Sequence, residues 1–259
     1  MSETIDSKAY ALYVDGVTKN RDESIYERKG LNNISFRFEK KGVHGILVPK
    51  GSGKTELMNI IAGCDMDHEG DVYILDTSVK ENNGIKRKIG YVQKRSVFYP
   101  DMTVTEVMSF VGEVRKVAQG KLYRQIKEAM ELTGIDEKKN RLVRNLNEFE
   151  QKKLSLAASL LGNPDILLFD ETVTPNMSDE RRTELEGIIK MLGKMKTVVL
   201  ATDDYRIARS LCEDVVIIYD GSVLAKGSFE ELDEKLSRSD VHTSLEALYN
   251  SLVSANSAK

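Results

Sequence analysis

The stretch His44-Gly45-Ile46-Leu47-Val48-Pro49-Lys50-Gly51-Ser52-Gly53-Lys54-Thr55 decides the fold. His44–Val48 reads as a buried strand. A glycine loop follows, and then a helical pattern of apolar residues at Leu57, Ile60 and Ile61 that stops at Gly63. A glycine loop between strand and helix wraps phosphate oxygens with backbone N–H groups, and the helix N-terminus adds partial positive charge. On this reading Lys50, Gly51, Ser52, Gly53, Lys54 and Thr55 bind a phosphorylated ligand. Lys54 reaches the terminal phosphates and the Thr55 hydroxyl holds Mg²⁺. The full pattern Gly-x-x-x-x-Gly-Lys-Thr asks for glycine at position 48, where this chain has Val48. A positive φ there would strain a β-branched residue. The bland alternative is a surface turn that carries a lysine, and the strand–loop–helix context argues against it.

The second informative stretch is Ile166-Leu167-Leu168-Phe169-Asp170-Glu171, a buried strand that ends in two carboxylates. Burying such groups is costly unless they are used. Beside a phosphate loop, Asp170 is expected to bind Mg²⁺ through water and Glu171 to polarise an attacking water as the catalytic base. The alternative reading, two acids that cap the following helix, loses ground once the two motifs are taken together.

Around these motifs, short Val/Ile-rich runs alternate with longer helical patterns. The strand candidates are Tyr10–Val14, Ile34–Phe38, His44–Val48, Asp71–Leu75, Ile89–Val92, Ile166–Phe169, Thr197–Ala201, Val215–Tyr219 and Ser222–Lys226. The early ones predict an antiparallel β piece. The later ones, separated by helices, predict a parallel sheet covered on both faces. Between Thr103 and about Leu161 no strand is apparent. Thr103 and Glu106 form a capping box, a second helix is expected from about Lys121 to Gly134, and a third from about Glu150 to Leu161. A helical tail begins near Thr243, with Leu245, Leu248 and Leu252 on one face, and ends in polar residues expected to fray.

Composition narrows the function. The 259 residues are 41% hydrophobic and 31% charged, as in a soluble globular protein, with a net charge of -3. That balance argues against a general nucleic-acid binder. No apolar run approaches the roughly 18 residues of a membrane span, and Met1–Tyr10 does not resemble a secretory signal. Any membrane contact must therefore go through a partner. Cys64 and Cys212 lack metal-ligand spacing and fit a reducing cytoplasm. The only histidines are His44, His68 and His242.

Together the motifs resemble the ATP-binding cassette family along nearly the whole chain. Lys41–Leu47 is similar to the entry strand. Ile89-Gly90-Tyr91 with Tyr99–Glu106 resembles the glutamine loop and the start of the helical subdomain. Ala157–Glu171 resembles the run from signature helix to acidic motif. Glu213–Ile217, Asp220–Val223 and Gly227–Leu232 resemble the C-terminal hairpin and following helix, and Ser244–Tyr249 the tail of drug and polysaccharide exporters. The resemblance implies an α/β P-loop NTPase fold of ABC type: a mixed sheet, an N-terminal antiparallel β subdomain and an inserted α-helical subdomain. It implies a nucleotide-binding domain over 1–242, with its insert at about 94–162, and an appended helix and tail over 243–259. ATP and Mg²⁺ are the implied cofactors. The implied partners are an integral membrane permease and a second nucleotide-binding subunit, identical or different, at the inner face of the membrane.

The departures from the family pattern fall where the ATP chemistry is done. The signature position reads Leu146-Asn147-Glu148-Phe149-Glu150, with serine and both glycines replaced. Bulk and negative charge there are expected to oppose closure over a γ-phosphate. Lys94 takes the glutamine position in the simplest register, with Gln93 one residue early. Asp203 takes the place of the switch histidine, where it would repel phosphate. Glu56 follows Thr55 where a hydroxyl is usual. The base-stacking position is Arg21 without a gap, or Tyr26 if Asn20–Lys29 carries an insertion. The leading expectation is an exporter's ATP-binding subunit with weak or no hydrolysis. The alternative is a non-hydrolysing regulatory or interaction protein that retains the fold.

Overall fold

The computed structural model describes residues 10–20, 30–95, 97–237 and 244–257. Arg21 and Tyr26, the two candidates for stacking on a base, lie outside the described residues.

Strands β1 (Tyr10–Lys19), β2 (Leu31–Glu39), β4 (Glu69–Ile74) and β5 (Thr77–Ser78) form an antiparallel sheet in the order β2-β1-β4-β5. Strand β3 (Gly42–Leu47) leaves that sheet, although it lies between its strands in sequence, and takes a central place in the other. This second sheet also contains β6 (Ile89–Val92), β7 (Ile166–Asp170), β8 (Thr197–Thr202), β9 (Asp214–Tyr219) and β10 (Ser222–Ser228), in the order β10-β9-β3-β8-β7-β6. Its strands run parallel except β10, which returns antiparallel on β9.

The helices are α1 (Lys54–Ile61), α2 (Val104–Val114), α3 (Gln119–Thr133), α4 (Glu148–Leu160), α5 (Asp179–Met195), α6 (Tyr205–Leu211), α7 (Phe229–Ser237) and α8 (Leu245–Ser257). Two sequence expectations shift at their starts. Helix α4 begins earlier than Glu150, because Asn147 accepts from Glu150 N and forms a capping box with it. Helix α3 begins at Gln119 rather than Lys121 and ends, as expected, on the left-handed Gly134 at φ 63°. The 3-10 turn at Asn83–Lys88 and strand β5 carried no sequence signal strong enough to read.

The continuous apolar runs are explained by burial on both faces. Ile166 and Leu168 of β7 pack into a core shared with the antiparallel sheet and α1, whereas Leu167 and Phe169 pack into a second core with α5 and α6. A third cluster holds α2, α3 and α4 together as the helical insert. Arg115 ties that insert to the sheet, donating to Leu161 O at 2.6 Å, Ile89 O at 2.9 Å and Arg87 O at 3.1 Å.

His44 is structural. It is 4% exposed, stacks on Phe38 at 4.8 Å, and places Nδ1 at 2.5 Å from Asp214 Oδ1 and Nε2 at 2.7 Å from Lys41 O. Burial by itself would push its pKa down, but the Asp214 contact, with Glu213 nearby, raises it above the ordinary value. A raised native pKa stabilises the fold fully below the unfolded value of about 6.5, and that contribution fades as pH rises through the native pKa. Urea unfolding should therefore show wild-type stability falling between mildly acidic and alkaline pH. His44→Gln should flatten this dependence. An unchanged slope in the variant would assign it to another group.

Candidate functional site

Strand alternation builds the site. Continuing the face of Ile166 and Leu168, Asp170 emerges on the side of β7 that carries α1. There its Oδ2 accepts from the Thr55 hydroxyl at 2.9 Å. The loop before α1 turns through Gly51 at φ 82° and Gly53 at φ 88°, conformations that side chains rarely adopt. Gly53 is the N-cap and gives no side-chain cap, so the helix N-terminus faces the loop's concave side uncapped. Val48 is not strained. Among the described residues its φ is not in the positive set, it is 1% exposed, and its N–H donates to Thr202 O at 3.0 Å.

Glu171 follows Asp170 in a left-handed conformation, φ 48°, with its N–H donating to Ala201 O at 3.0 Å. Its carboxylate lies between two ammonium groups. Oε1 is 2.5 Å from Lys54 Nζ and Oε2 is 2.7 Å from Lys94 Nζ. Lys152 Nζ donates to the Glu171 carbonyl at 3.3 Å. Asp203 Oδ1 stands 3.8 Å from Lys54 Nζ. Burial alone would raise the Glu171 pKa, yet the two lysines hold it below the usual carboxylate range. Asp170, wholly buried, is pushed up by desolvation, against the pull of Thr55 and Lys54.

Three buried polar atoms of this site have no hydrogen-bond partner: Lys54 Nζ, Asp170 Oδ1 and Thr172 Oγ1. The Lys54–Glu171 contact is thus a close approach of charges without hydrogen-bond alignment. A buried ammonium and a buried carboxylate oxygen left in this condition fit a phosphate and a divalent cation. Thr55 and Asp170 offer hard oxygen donors suited to Mg²⁺. No group of three or more His, Cys, Asp or Glu that could hold a metal occurs among the described residues. A cation here would need the ligand's own oxygens and water to complete its shell. The sequence-predicted residues Lys50 to Thr55, Asp170 and Glu171 therefore meet in one place.

Two further residues belong to it. The Lys94–Glu171 pair follows from sheet register: β6 pairs with β7 as Val92 with Phe169, so two residues on Lys94 comes beside Glu171. The C-terminal helix reaches the site from behind, where Tyr249, 1% exposed, donates from its hydroxyl to Asp203 O at 3.1 Å. Asp204, not Asp203, caps α6, accepting from Arg206 N at 2.8 Å and Ile207 N at 3.0 Å.

At the signature position the expected bulk and charge are largely turned inward. Phe149 lies against the second core, with Lys153 Nζ at 5.0 Å and Arg181 Cζ at 5.2 Å from its ring centre. Glu150 accepts from Asn147 N at 2.9 Å and faces Lys138 at 3.4 Å and Arg141 at 3.9 Å. Of these three residues, Glu148 is the exposed one.

A family model described as ABC transporter matches residues 31–174. ABC transporter A family member 11 of Dictyostelium discoideum is 26% identical over 234 residues, 90% of this chain and 28% of that protein. The methionine import ATP-binding protein MetN of Clostridioides difficile (strain 630) is 29% identical over 222 residues, 83% of this chain and 68% of that protein. The chain spans less than two thirds of several relatives it matches, from 28% to 59% of their length. In structure it is similar to the dimeric ATP-binding cassette MJ0796 in a post-hydrolysis state bound to ADP and Pi. That likeness has a TM-score of 0.75 at 24% identity and covers 84% of this chain and 98% of the other.

Proposed function

The chain belongs to the ABC transporter family, and from that premise we propose that it is the ATP-binding subunit of an exporter, with weak or no hydrolysis of its own. The observation that supports the nucleotide-binding part of this reading is the convergence of Lys54 and Thr55 from α1 with Asp170 and Glu171 at the end of β7, with Lys54 Nζ and Asp170 Oδ1 left without a hydrogen-bond partner.

Lys50 to Lys54 cradle the phosphates of ATP. Thr55 and Asp170 hold Mg²⁺, which neutralises phosphate charge when bound. Glu171 is the base, and both of its oxygens start out engaged by ammonium groups. Asp203 offers the γ-phosphate no proton when ionised. Weak turnover follows from these two facts together with the altered signature.

The nucleotide-binding unit covers 1–242, with the helical insert at about 94–162, and 243–259 forms the appended tail. No helix of the described residues is long and apolar enough to cross a membrane. Membrane contact is therefore assigned to a permease, docked by the insert at the cytoplasmic face. A second nucleotide-binding subunit completes the two sites; the dimeric cassette of the same fold supports this. The twin ion pairs on Glu171 also favour a second reading, a non-hydrolysing regulatory protein that keeps the fold.

Calorimetric titration with MgATP and a phosphate-release assay test the proposal together. Binding with little release from the isolated chain is expected. Robust release dependent on Glu171 would overturn the slow-ATPase reading. Release that appears only when permease-containing membranes are added would favour the transporter subunit over the regulatory protein.

A further inference from the structure

We propose that the cavity between α7, α8 and the β9–β10 hairpin is a binding site for a single-chain amphiphile with a carboxylate head, of the fatty-acid class. It lies apart from the phosphate loop and does not rest on the nucleotide reading.

The cavity holds about 280 Å³. Ligand pockets run from about 300 to 1,000 Å³ and are walled by apolar side chains with a few polar groups. This cavity has that make-up at the small end of the range. Ile217 of β9, Leu224 and Ala225 of β10, Leu232 and Leu236 of α7 and Leu248 of α8 line it. Close-packed interiors leave few voids larger than a water molecule, and an apolar cavity holds water poorly. Packing alone therefore does not explain a space of this size among leucines.

Its wall is preformed. Tyr249, 1% exposed, is held by a ring contact with Tyr205 at 6.3 Å and by its hydroxyl on Asp203 O at 3.1 Å. Ile217 and Leu232 are also buried, whereas Leu224 is 53% exposed at the mouth. Among the lining residues Lys235 alone carries a charge, and it too is exposed. Three acids of α7 are turned to other partners. Glu231 accepts from Ser228 N at 3.1 Å, and Glu230 and Asp233 face Arg209 at 3.6 Å and 3.0 Å. Lys235 forms no ion pair among the described residues. An apolar interior with one available cation at its rim fits an acyl chain that ends in a carboxylate. An exposed ion pair contributes little, so the chain supplies the affinity and Lys235 selects the head group.

Calorimetry with decanoate, below the concentration at which it forms micelles, should give saturable one-to-one binding. Each buried methylene is worth about fourfold, so hexanoate should bind at least about tenfold more weakly. Ala225→Phe fills the cavity with a ring that a strand accommodates, and should abolish binding. Leu224→Glu, at the exposed mouth, places a like charge near the head and should weaken decanoate at least about fivefold. Lys235→Gln should weaken decanoate about threefold and leave decanol, whose head is neutral, within about twofold. Thermal melting shows which variants remain folded. No saturable binding by the wild type, or binding left intact by a folded Ala225→Phe or Leu224→Glu variant, would overturn the proposal. Equal effects of Lys235→Gln on decanoate and decanol would overturn the assignment of the carboxylate.

Discussion

Lys54→Ala is expected to lose at least about 100-fold in MgATP affinity. Two charge-assisted hydrogen bonds to phosphate, at about 1.5–3 kcal/mol each, account for that loss. The environment enlarges the effect. Without the Lys54 ammonium, Glu171 and Asp203 are left facing the incoming phosphates. At about 4 Å each repulsion is worth roughly 1–4 kcal/mol, depending on how much water screens it. Titration with a fluorescent ATP analogue, alongside circular dichroism of the apo variant, measures the loss. Undiminished affinity in a folded variant would put the nucleotide at another site.

The largest gain is expected from restoring the family pattern at four positions at once: Asn147→Ser, Glu148→Gly, Phe149→Gly and Asp203→His. Turnover should rise by at least about tenfold, a modest share of the roughly 100- to 10,000-fold that a positioned proton-transfer group contributes. Single reversions should do little, because each leaves the other departures from the family pattern in place. The structure adds a cost the sequence did not show. Two glycines in the first turn of α4 cost about 1 kcal/mol each. Removing Phe149 also strips the ring between Lys153 and Arg181 and uncovers part of the second core. Thermal melting must therefore accompany the phosphate-release assay. A well-folded quadruple variant with no gain would place the defect elsewhere, at Glu56 or at Lys94 on the base.

The charge arrangement around Glu171 is what the proposed weak turnover rests on. Glu171 is held by its backbone N–H, its carbonyl and both side-chain oxygens. A general base needs a free lone pair aimed at water. Here both side-chain oxygens face ammonium groups. Tyr249 holds the Asp203 carbonyl from the other side, so the C-terminal helix is part of what keeps that segment in place.

Residues close along the chain wrote their structure into the sequence. The glycine loop, the uncapped start of α1, the Thr103 capping box and the Gly134 stop depend on neighbours within a turn or two, so local pattern sufficed to read them. The apolar runs of β7 and β8 announced burial on both faces for the same reason. What sequence could not show lies across strands that are distant in the chain. It placed Lys94 at a loop position but not beside Glu171, because that neighbour depends on β6 pairing with β7. It read Phe149 and Glu150 as obstacles to a phosphate, whereas packing against Lys153 and Arg181 and a capping box turn them inward. It made strain at Val48 conditional on a positive φ there, and the left-handed turns fall instead on Gly51, Gly53 and Glu171. Composition and spacing determined which chemistry the chain carries. Sheet order and register decided which charges face one another, because a strand fixes its partners through hydrogen bonds that no local sequence encodes.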